Sequence, residues 1–389
     1  MSHPFSILPF DFEARTRIVF QMDAIDRLGE FGRQLGGRRA LVVSDSGVIA
    51  AGHTQRGIES LGRAGIASTV FEDFHENPSS ADVDRGVACA AEFAPNLLIG
   101  LGGGSSMDCA KGINFVQTNG GSIHDYWGVG RAAKPMLPMI AVPTTAGTGS
   151  EAQSFALISD AKTHAKMACG DKKAACRIAL LDPRLTMTQP RRLTALTGID
   201  ALAHALETYV TKRRTPISQV FSREAWRLLA GNLARVLQAP DDLEARSAMQ
   251  LGACYAGLAI ENSMLGATHA LANPLTAEYG LVHGQAIGLM LPHVIRYNGR
   301  QFEELYLQLV QSTSELAGYP KLADGVEGLA RFVEELVEKC ELSMPLTDCG
   351  AAEDHIPRLA ADAAKQWTGT FNPRPVSETE LAELYRLAF

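Results

Sequence analysis

The first half of the chain carries a pattern that few folds accommodate: short, continuously apolar runs alternate with helical patterns. Arg39-Ala-Leu-Val-Val-Ser44 is bounded by Gly36-Gly37 and by Asp45-Ser46-Gly47. A run that is apolar at successive positions has the profile of a strand buried on both faces. Asn96–Leu101, Met139–Val142 and Ile178–Leu181 repeat it, Ile66–Phe71 adds another, and Arg17–Phe20 reads as an edge strand after an irregular lead-in. Helical patterns run between them, from about Ala50 to Ala64 and from Ala81 to Phe93, with a turn at Glu76-Asn77-Pro78-Ser79. Strands that alternate with helices predict a parallel sheet with helices on both faces. After Asp182-Pro183 no convincing strand appears; helical periodicity runs on, punctuated at Asn273-Pro274, Leu291-Pro292 and Tyr319-Pro320, among others. The expected architecture is an α/β domain over residues 1–185 followed by an all-helical domain over 186–389. Ligands of such proteins tend to lie at the carboxyl ends of sheet strands and at domain interfaces.

At 389 residues the chain is long enough for two domains. Its formal net charge of −7 comes without any Lys/Arg block, so nothing points to nucleic acid or a membrane surface as partner. The first residues show no basic n-region and no long apolar h-region, and no apolar run approaches the roughly 18 residues of a membrane span. Seven cysteines are scattered with no Cys-x-x-Cys pair, the usage of a reducing, cytoplasmic setting.

Three stretches carry chemistry. Gly100-Leu-Gly-Gly-Gly-Ser-Ser-Met-Asp-Cys-Ala-Lys111 follows a strand and opens a helix. Gly102, Gly103 and Gly104 let the backbone approach a ligand closely, and a helix N-terminus attracts phosphate. Ser105 with Asp108 three residues on is expected to form a capping box. The pattern is not the standard dinucleotide fingerprint, since a serine stands where its third glycine would be. The acid that could hold a ribose hydroxyl lies upstream at Asp45; a carboxylate there would repel a 2′-phosphate and favour NAD over NADP. Asp45 reads equally well as a turn residue. The second stretch, Val142-Pro-Thr-Thr-Ala-Gly-Thr-Gly-Ser-Glu151, gathers hydroxyls and backbone freedom just after another strand, which suits a pyrophosphate or a nicotinamide ring.

The third is a set of charged and imidazole side chains in the helical half. Asp200 and His204 are four apart, on one face of an otherwise apolar helix. Alone, that pair reads more readily as a buried histidine and an early-turn carboxylate. With His269 and His283 it suggests one divalent ion, Fe²⁺ or Zn²⁺, since imidazole and carboxylate suit both and no cysteine stands nearby for a structural zinc. His293 is a fourth histidine in the same half.

In this order, the glycine loop, the Pro143–Glu151 run, Gly198-Ile-Asp-Ala-Leu-Ala-His-Ala-Leu-Glu207 and the His269/His283 pair resemble the iron-containing (group III) alcohol dehydrogenases. The resemblance spans about Asp45 to His293, and Asn372-Pro-Arg374 is similar too. It implies a dehydroquinate-synthase-like fold: a Rossmann-like dinucleotide-binding domain, a helical metal- and substrate-binding domain, the cofactor in the cleft, and homodimers or larger assemblies. It places the metal on Asp200, His204, His269 and His283. The cofactor falls on Asp45, Gly102, Gly103, Gly104, Ser105, Asp108, Thr144, Thr145 and Thr148, with Lys166 near it. His293 falls outside the ligand set and reads as structural.

One position departs from that pattern. Many members of the family carry a histidine four residues after the first of these C-terminal ligands; here it is Asn273, which cannot titrate near neutral pH. Asn273 either shapes the substrate pocket or is a helix-end residue before Pro274. The implied reaction is hydride exchange between an alcohol carbon and NAD, with the metal as Lewis acid. A dehydroquinate-synthase-type lyase would need basic residues that the ligand-bearing stretches lack. A maleylacetate-type reductase would depart from the glycine and Thr-Thr-Ala-Gly-Thr-Gly-Ser patterns kept here. A catalytically silent NAD-binding protein would be free to lose the four ligand positions.

Overall fold

The computed structural model describes residues 8–313, 321 and 324–389; Tyr319-Pro320 lies outside them. The chain divides into two compact units: Glu13–Gln189, and Pro190–Phe389 together with the lead-in that ends at Phe12. Phe12 packs its ring at 6.1 Å from that of Phe221 in the helical unit.

The Glu13–Gln189 unit contains, in order, β1 (Arg17–Phe20), α1 (Leu28–Gln34), β2 (Arg39–Val43), α2 (Ser46–Ala50), α3 (His53–Arg63), β3 (Ala67–Phe71), α4 (Ser80–Phe93), β4 (Leu97–Gly102), α5 (Gly104–Asn119), β5 (Gly128–Val129), β6 (Met139–Pro143), β7 (Phe155–Ser159), β8 (Lys166–Gly170) and β9 (Ile178–Leu181). Six strands form a parallel sheet in the order β1-β9-β6-β4-β2-β3, with β1 at one edge as expected. Successive side chains along a strand point to opposite faces, and here both faces are apolar. Ala40, Val42, Leu97, Ile99 and Leu101 pack with Leu28, Phe31 and Leu61 of α1 and α3. Leu41, Val43 and Leu98 pack with Ala90 of α4 and Met107, Ala110 and Ile113 of α5. That two-sided burial is why the strands read as unbroken apolar runs.

Three features differ from the sequence reading. The helix expected over 50–64 is α3, and a short helix before it, α2, is unforeseen; the two are parted at Gly52, whose φ of 81° lies in the left-handed region that glycine tolerates. A second sheet, β5-β8-β7, is unforeseen; β7 and β8 pair antiparallel, and their inner residues Ala156, Ile158, Met167 and Cys169 cover Phe115 and Val116 of α5. The capping box at Ser105 is absent: Gly103 stands at the start of α5 with no side-chain cap, and Asp108 points elsewhere.

The other unit is helical throughout its described residues: α6 (Arg191–Val210), α7 (Pro216–Gln238), α8 (Leu243–Glu261), α9 (Ala267–Tyr279), α10 (His283–Thr313), α11 (Gly325–Lys339), α12 (Ile356–Ala364) and α13 (Glu378–Arg386). Pro274 and Pro292 lie inside α9 and α10 rather than ending helices. A proline removes one helical hydrogen bond, and packing of these buried segments outweighs that loss. No helix of the described residues is long and apolar enough to cross a membrane.

Candidate active site

Helix α6 is the centre of the helical unit's chemistry. From Thr194 onward nearly every residue is buried, on all sides, as expected of a helix that is apolar all round. Asp200 and His204 share one face of it, and a buried carboxylate needs partners. Three imidazoles supply them. From Asp200 Oδ1 the distance to Nε2 is 3.3 Å for His204, 3.4 Å for His269 and 3.6 Å for His283. The ligand atoms of Asp200, His269 and His283 lie within 4.8 Å of one another. His204 stands just outside that set, its ring stacked on that of His269 with centroids 4.8 Å apart.

His204 lies inside α6, and the other two histidines are delivered by helix starts. His269 sits in the first turn of α9 and His283 opens α10. Gly284 lets α10 come that close: a Cβ there would lie 2.2 Å from the Leu196 carbonyl oxygen of α6. Burial disfavours the Asp200 carboxylate, yet His204, His269 and His283 outweigh it and hold its pKa well below the usual range. Burial also works against a charged His269, but Glu207 and Asp200 raise it to about 9. Such a field attracts cations. Asp200 Oδ1 and His269 Nε2 are buried and make no hydrogen bond, an arrangement that costs free energy unless something else meets them. One carboxylate and three imidazoles fit a divalent ion such as Fe²⁺ or Zn²⁺.

The Glu13–Gln189 unit gathers the other expected residues at the carboxyl ends of three adjacent parallel strands. Asp45 follows β2, Gly103 follows β4 and Thr144 follows β6. The chain turns to opposite sides of β2 at β3 and β4, a topological switch point, where open α/β sheets bind ligands. Asp45 Oδ1 accepts from the N–H groups of Gly47 and Val48, and its Oδ2 accepts from Ser106 Oγ at 3.2 Å. So Asp45 does cap α2, and it also reaches the glycine loop. Thr144 N–H donates to Gly102 O at 2.9 Å. A Cβ on Gly102, where φ is 151°, would fall 2.2 Å from Ser106 Oγ and 3.1 Å from Asp45 Oδ2. One on Gly103 would meet Thr145 at 3.4 Å, and one on Gly104 would meet Thr148 at 2.7 Å. The glycines form a cradle at the uncapped start of α5 that any side chain would fill, as a phosphate site requires. Ser105 Oγ accepts from Asn77 N–H, and Asn77 Oδ1 accepts from Lys166 Nζ at 3.0 Å, so Ser105 and Lys166 flank one turn.

Residues 15–183 match the model of the family described as iron-containing alcohol dehydrogenase, and residues 194–389 match that of the C-terminal region of the same family. The chain belongs to the iron-containing alcohol dehydrogenases. It is 33% identical to a 1,3-propanediol dehydrogenase of Citrobacter freundii, over 98% of this chain and 99% of that one. An NAD-dependent methanol dehydrogenase of Bacillus methanolicus is 32% identical over 95% of this chain and 97% of its own length. The crystal structure of a 1,3-propanediol oxidoreductase superposes with a TM-score of 0.93 at 32% identity, covering 98% of this chain and all of the other. This family member is thus an alcohol dehydrogenase, an oxidoreductase acting on CH–OH groups, and neither the lyase nor the silent reading is favoured.

Asn273 and Asp108 read differently once their surroundings are known, whereas His293 stays outside the imidazole group. Asn273 is not at a helix end: it lies mid-way along α9, one turn beyond His269, and its Nδ2 donates to Gln366 Oε1 at 3.0 Å. His293 lies well along α10 from His283, outside the imidazole group, and burial lowers its pKa with Arg296 adding to the effect. Asp108 Oδ1 accepts from Ser150 Oγ at 2.7 Å, and Ser150 also meets the buried Lys111. Asp108 therefore ties α5 to the threonine-rich segment. Sequence reasoning singled out neither Lys111 nor Glu207. The signal for both was a charged residue inside an apolar helical stretch.

Proposed function

We propose that this chain transfers hydride between a small primary alcohol or its aldehyde and NAD, with a divalent ion held by Asp200, His204, His269 and His283. The observation that carries the reading is the convergence of three imidazole nitrogens on one buried carboxylate oxygen. An ion bound there supplies Lewis acidity toward the substrate oxygen, and NAD supplies the hydride chemistry. Fe²⁺ is the ion that the family's name favours, with Zn²⁺ as the alternative. The cradle of Gly102, Gly103 and Gly104 with Ser105, Thr144, Thr145 and Thr148 takes the pyrophosphate and nicotinamide portions; Lys166 stands beside it, and Asp108 holds the threonine segment in place. Asn273 cannot take up a proton near neutral pH. Its amide, held by Gln366, instead orients a water or a substrate hydroxyl, and the proton leaves through water or the cofactor ribose. Its similarity to a 1,3-propanediol dehydrogenase and to a methanol dehydrogenase supports small alcohols. The protein works in the cytoplasm as a homodimer or larger assembly.

A screen of short primary alcohols, diols and aldehydes with NAD(H), with Fe²⁺ or Zn²⁺ added anaerobically, tests the reading. Turnover that needs the ion and disappears on chelation is expected. Ion-independent turnover, or none with any alcohol, would sink it.

Asp45 gives a separate test of nucleotide choice. On this reading its carboxylate accepts from the ribose hydroxyls of NAD, and a 2′-phosphate there would meet like charge. Replacing an N-cap aspartate by glycine costs helix stability only a few tenths of a kcal/mol, so Asp45→Gly isolates the charge. The ratio of kcat/KM for NADP to that for NAD should rise about tenfold, or ~1.4 kcal/mol. An unchanged ratio would remove Asp45 from cofactor selection.

A further inference from the structure

Glu207 is buried near the end of α6, and its carboxylate is spent entirely on the start of α9. Oε1 accepts from Thr268 N–H at 2.6 Å, while Oε2 faces Gly266 N–H at 3.1 Å and His269 Nδ1 at 2.6 Å. Asn372, also buried, adds a fourth contact: its Oδ1 accepts from Ala267 N–H at 3.2 Å and is held by Asn298 Nδ2 at 3.1 Å. A Cβ on Gly266 would stand 3.0 Å from Asn372 Oδ1 and 3.1 Å from Glu207 Oε1, so glycine leaves both side chains room to reach the backbone. Backbone N–H groups can only donate, and an ionised carboxylate can only accept. The contact at Nδ1 must therefore be Nδ1–H donating, so that in the neutral ring the lone pair of His269 lies on Nε2. That atom is the one aimed at Asp200 Oδ1.

We propose that Glu207 is a positioning residue of the metal site, acting directly on the ring: it holds His269 in the tautomer whose Nε2 can ligate, a role separate from the capping of the helix end that it shares with Asn372. This rests on the divalent-ion reading given above. The carboxylate is 62 residues from the ring in sequence, so the pairing is a property of the fold and not of a local motif. Outer groups of this kind orient ligating histidines, and their loss typically weakens metal binding by about 10–100-fold.

The test measures Zn²⁺ affinity of the metal-free full chain by competition with a chelator, apart from any activity. Glu207→Gln is nearly isosteric but offers donors where donors already stand; it should raise the Zn²⁺ Kd by about 10–100-fold. Asn372→Ala uncaps the same helix end without touching the ring and should lower the melting temperature while leaving Kd within about threefold. A Kd for Glu207→Gln within twofold of wild type, in a protein where His269→Ala loses zinc, would overturn the positioning role alone. An equal loss in Asn372→Ala would assign the effect to the helix end and overturn it as well. A wild-type Kd in His269→Ala would instead bring down the metal reading, and this inference with it. Nitrogen-15 shifts of the His269 ring in the zinc-loaded wild type are independent of whether any variant folds. They should show a protonated Nδ1 and a ligated Nε2, and a deprotonated Nδ1 would overturn the proposal.

Discussion

His269→Ala is expected to abolish divalent-ion binding and dehydrogenase activity together, with kcat/KM falling by at least about 10³-fold. The magnitude follows from the several kcal/mol that a Lewis acid contributes at the reacting oxygen, each 1.36 kcal/mol being a factor of about ten. His269 is the member of the group whose loss should be cleanest. Its Nε2 is buried and makes no hydrogen bond, so its inward face is available to an ion. The outward face leans on Glu207, which keeps Gly266 and Thr268 N–H as partners when the ring is gone. The start of α9 therefore stays capped, and the variant should fold. His283 is a weaker choice, because its side chain is 26% exposed and water can replace part of what it does. Metal content and turnover measured on the same preparation check the expectation. A His269→Ala protein that keeps activity without bound ion would remove the Lewis-acid role.

How legible that site was depended on the distance over which its parts act. The parallel sheet could be read because β2, β4, β6 and β9 are buried on both faces, and so are apolar at every position except the exposed Arg39 that opens β2. The small sheet could not. Lys166-Met-Ala-Cys-Gly170 is too short and too mixed to announce a strand, and its inward residues are defined by non-local partners such as Phe115 and Val116 of α5. Asp200 and His204 stood out as an i, i+4 pair, and the two later histidines stood out as imidazoles in an apolar half. Glu207 lies in the same stretch as Asp200 and His204, but nothing local marks it, because its partners come from the distant α9. Ser105 and Asp108 show the opposite failure. A spacing that suits a local capping box was overridden when Ser150, 42 residues on, gave Asp108 a better partner. Local chemistry is visible in one dimension, whereas pairings across the fold are not.

Lys111 is where the same non-local pairing should have its largest effect on stability. The side chain is fully buried. Its ammonium has three donors, and three acceptors meet it: Ser150 O at 2.6 Å, Ser150 Oγ at 2.8 Å and Phe155 O at 2.9 Å. Ser150 Oγ in turn donates to Asp108 Oδ1, so α5, the threonine-rich segment and the first residue of β7 are joined at one cation. Lys111→Met fills the same volume but leaves those acceptors buried and unmet. Removing one partner of a buried charged network costs about 3–5 kcal/mol, which for a unit of this size lowers the melting temperature by roughly 6–20 °C. The threonine segment runs from Thr144 and Thr145 to Ser150, so loosening Ser150 should also raise the Kd for NAD, by about tenfold or ~1.4 kcal/mol. Asp108→Asn is the control, since an amide oxygen still accepts from Ser150 Oγ and both effects should be small. Thermal melts and an NAD titration followed by fluorescence separate the two roles. A lower melting temperature with unchanged NAD affinity would restrict Lys111 to stability, and no change in either would show that the buried cation carries neither.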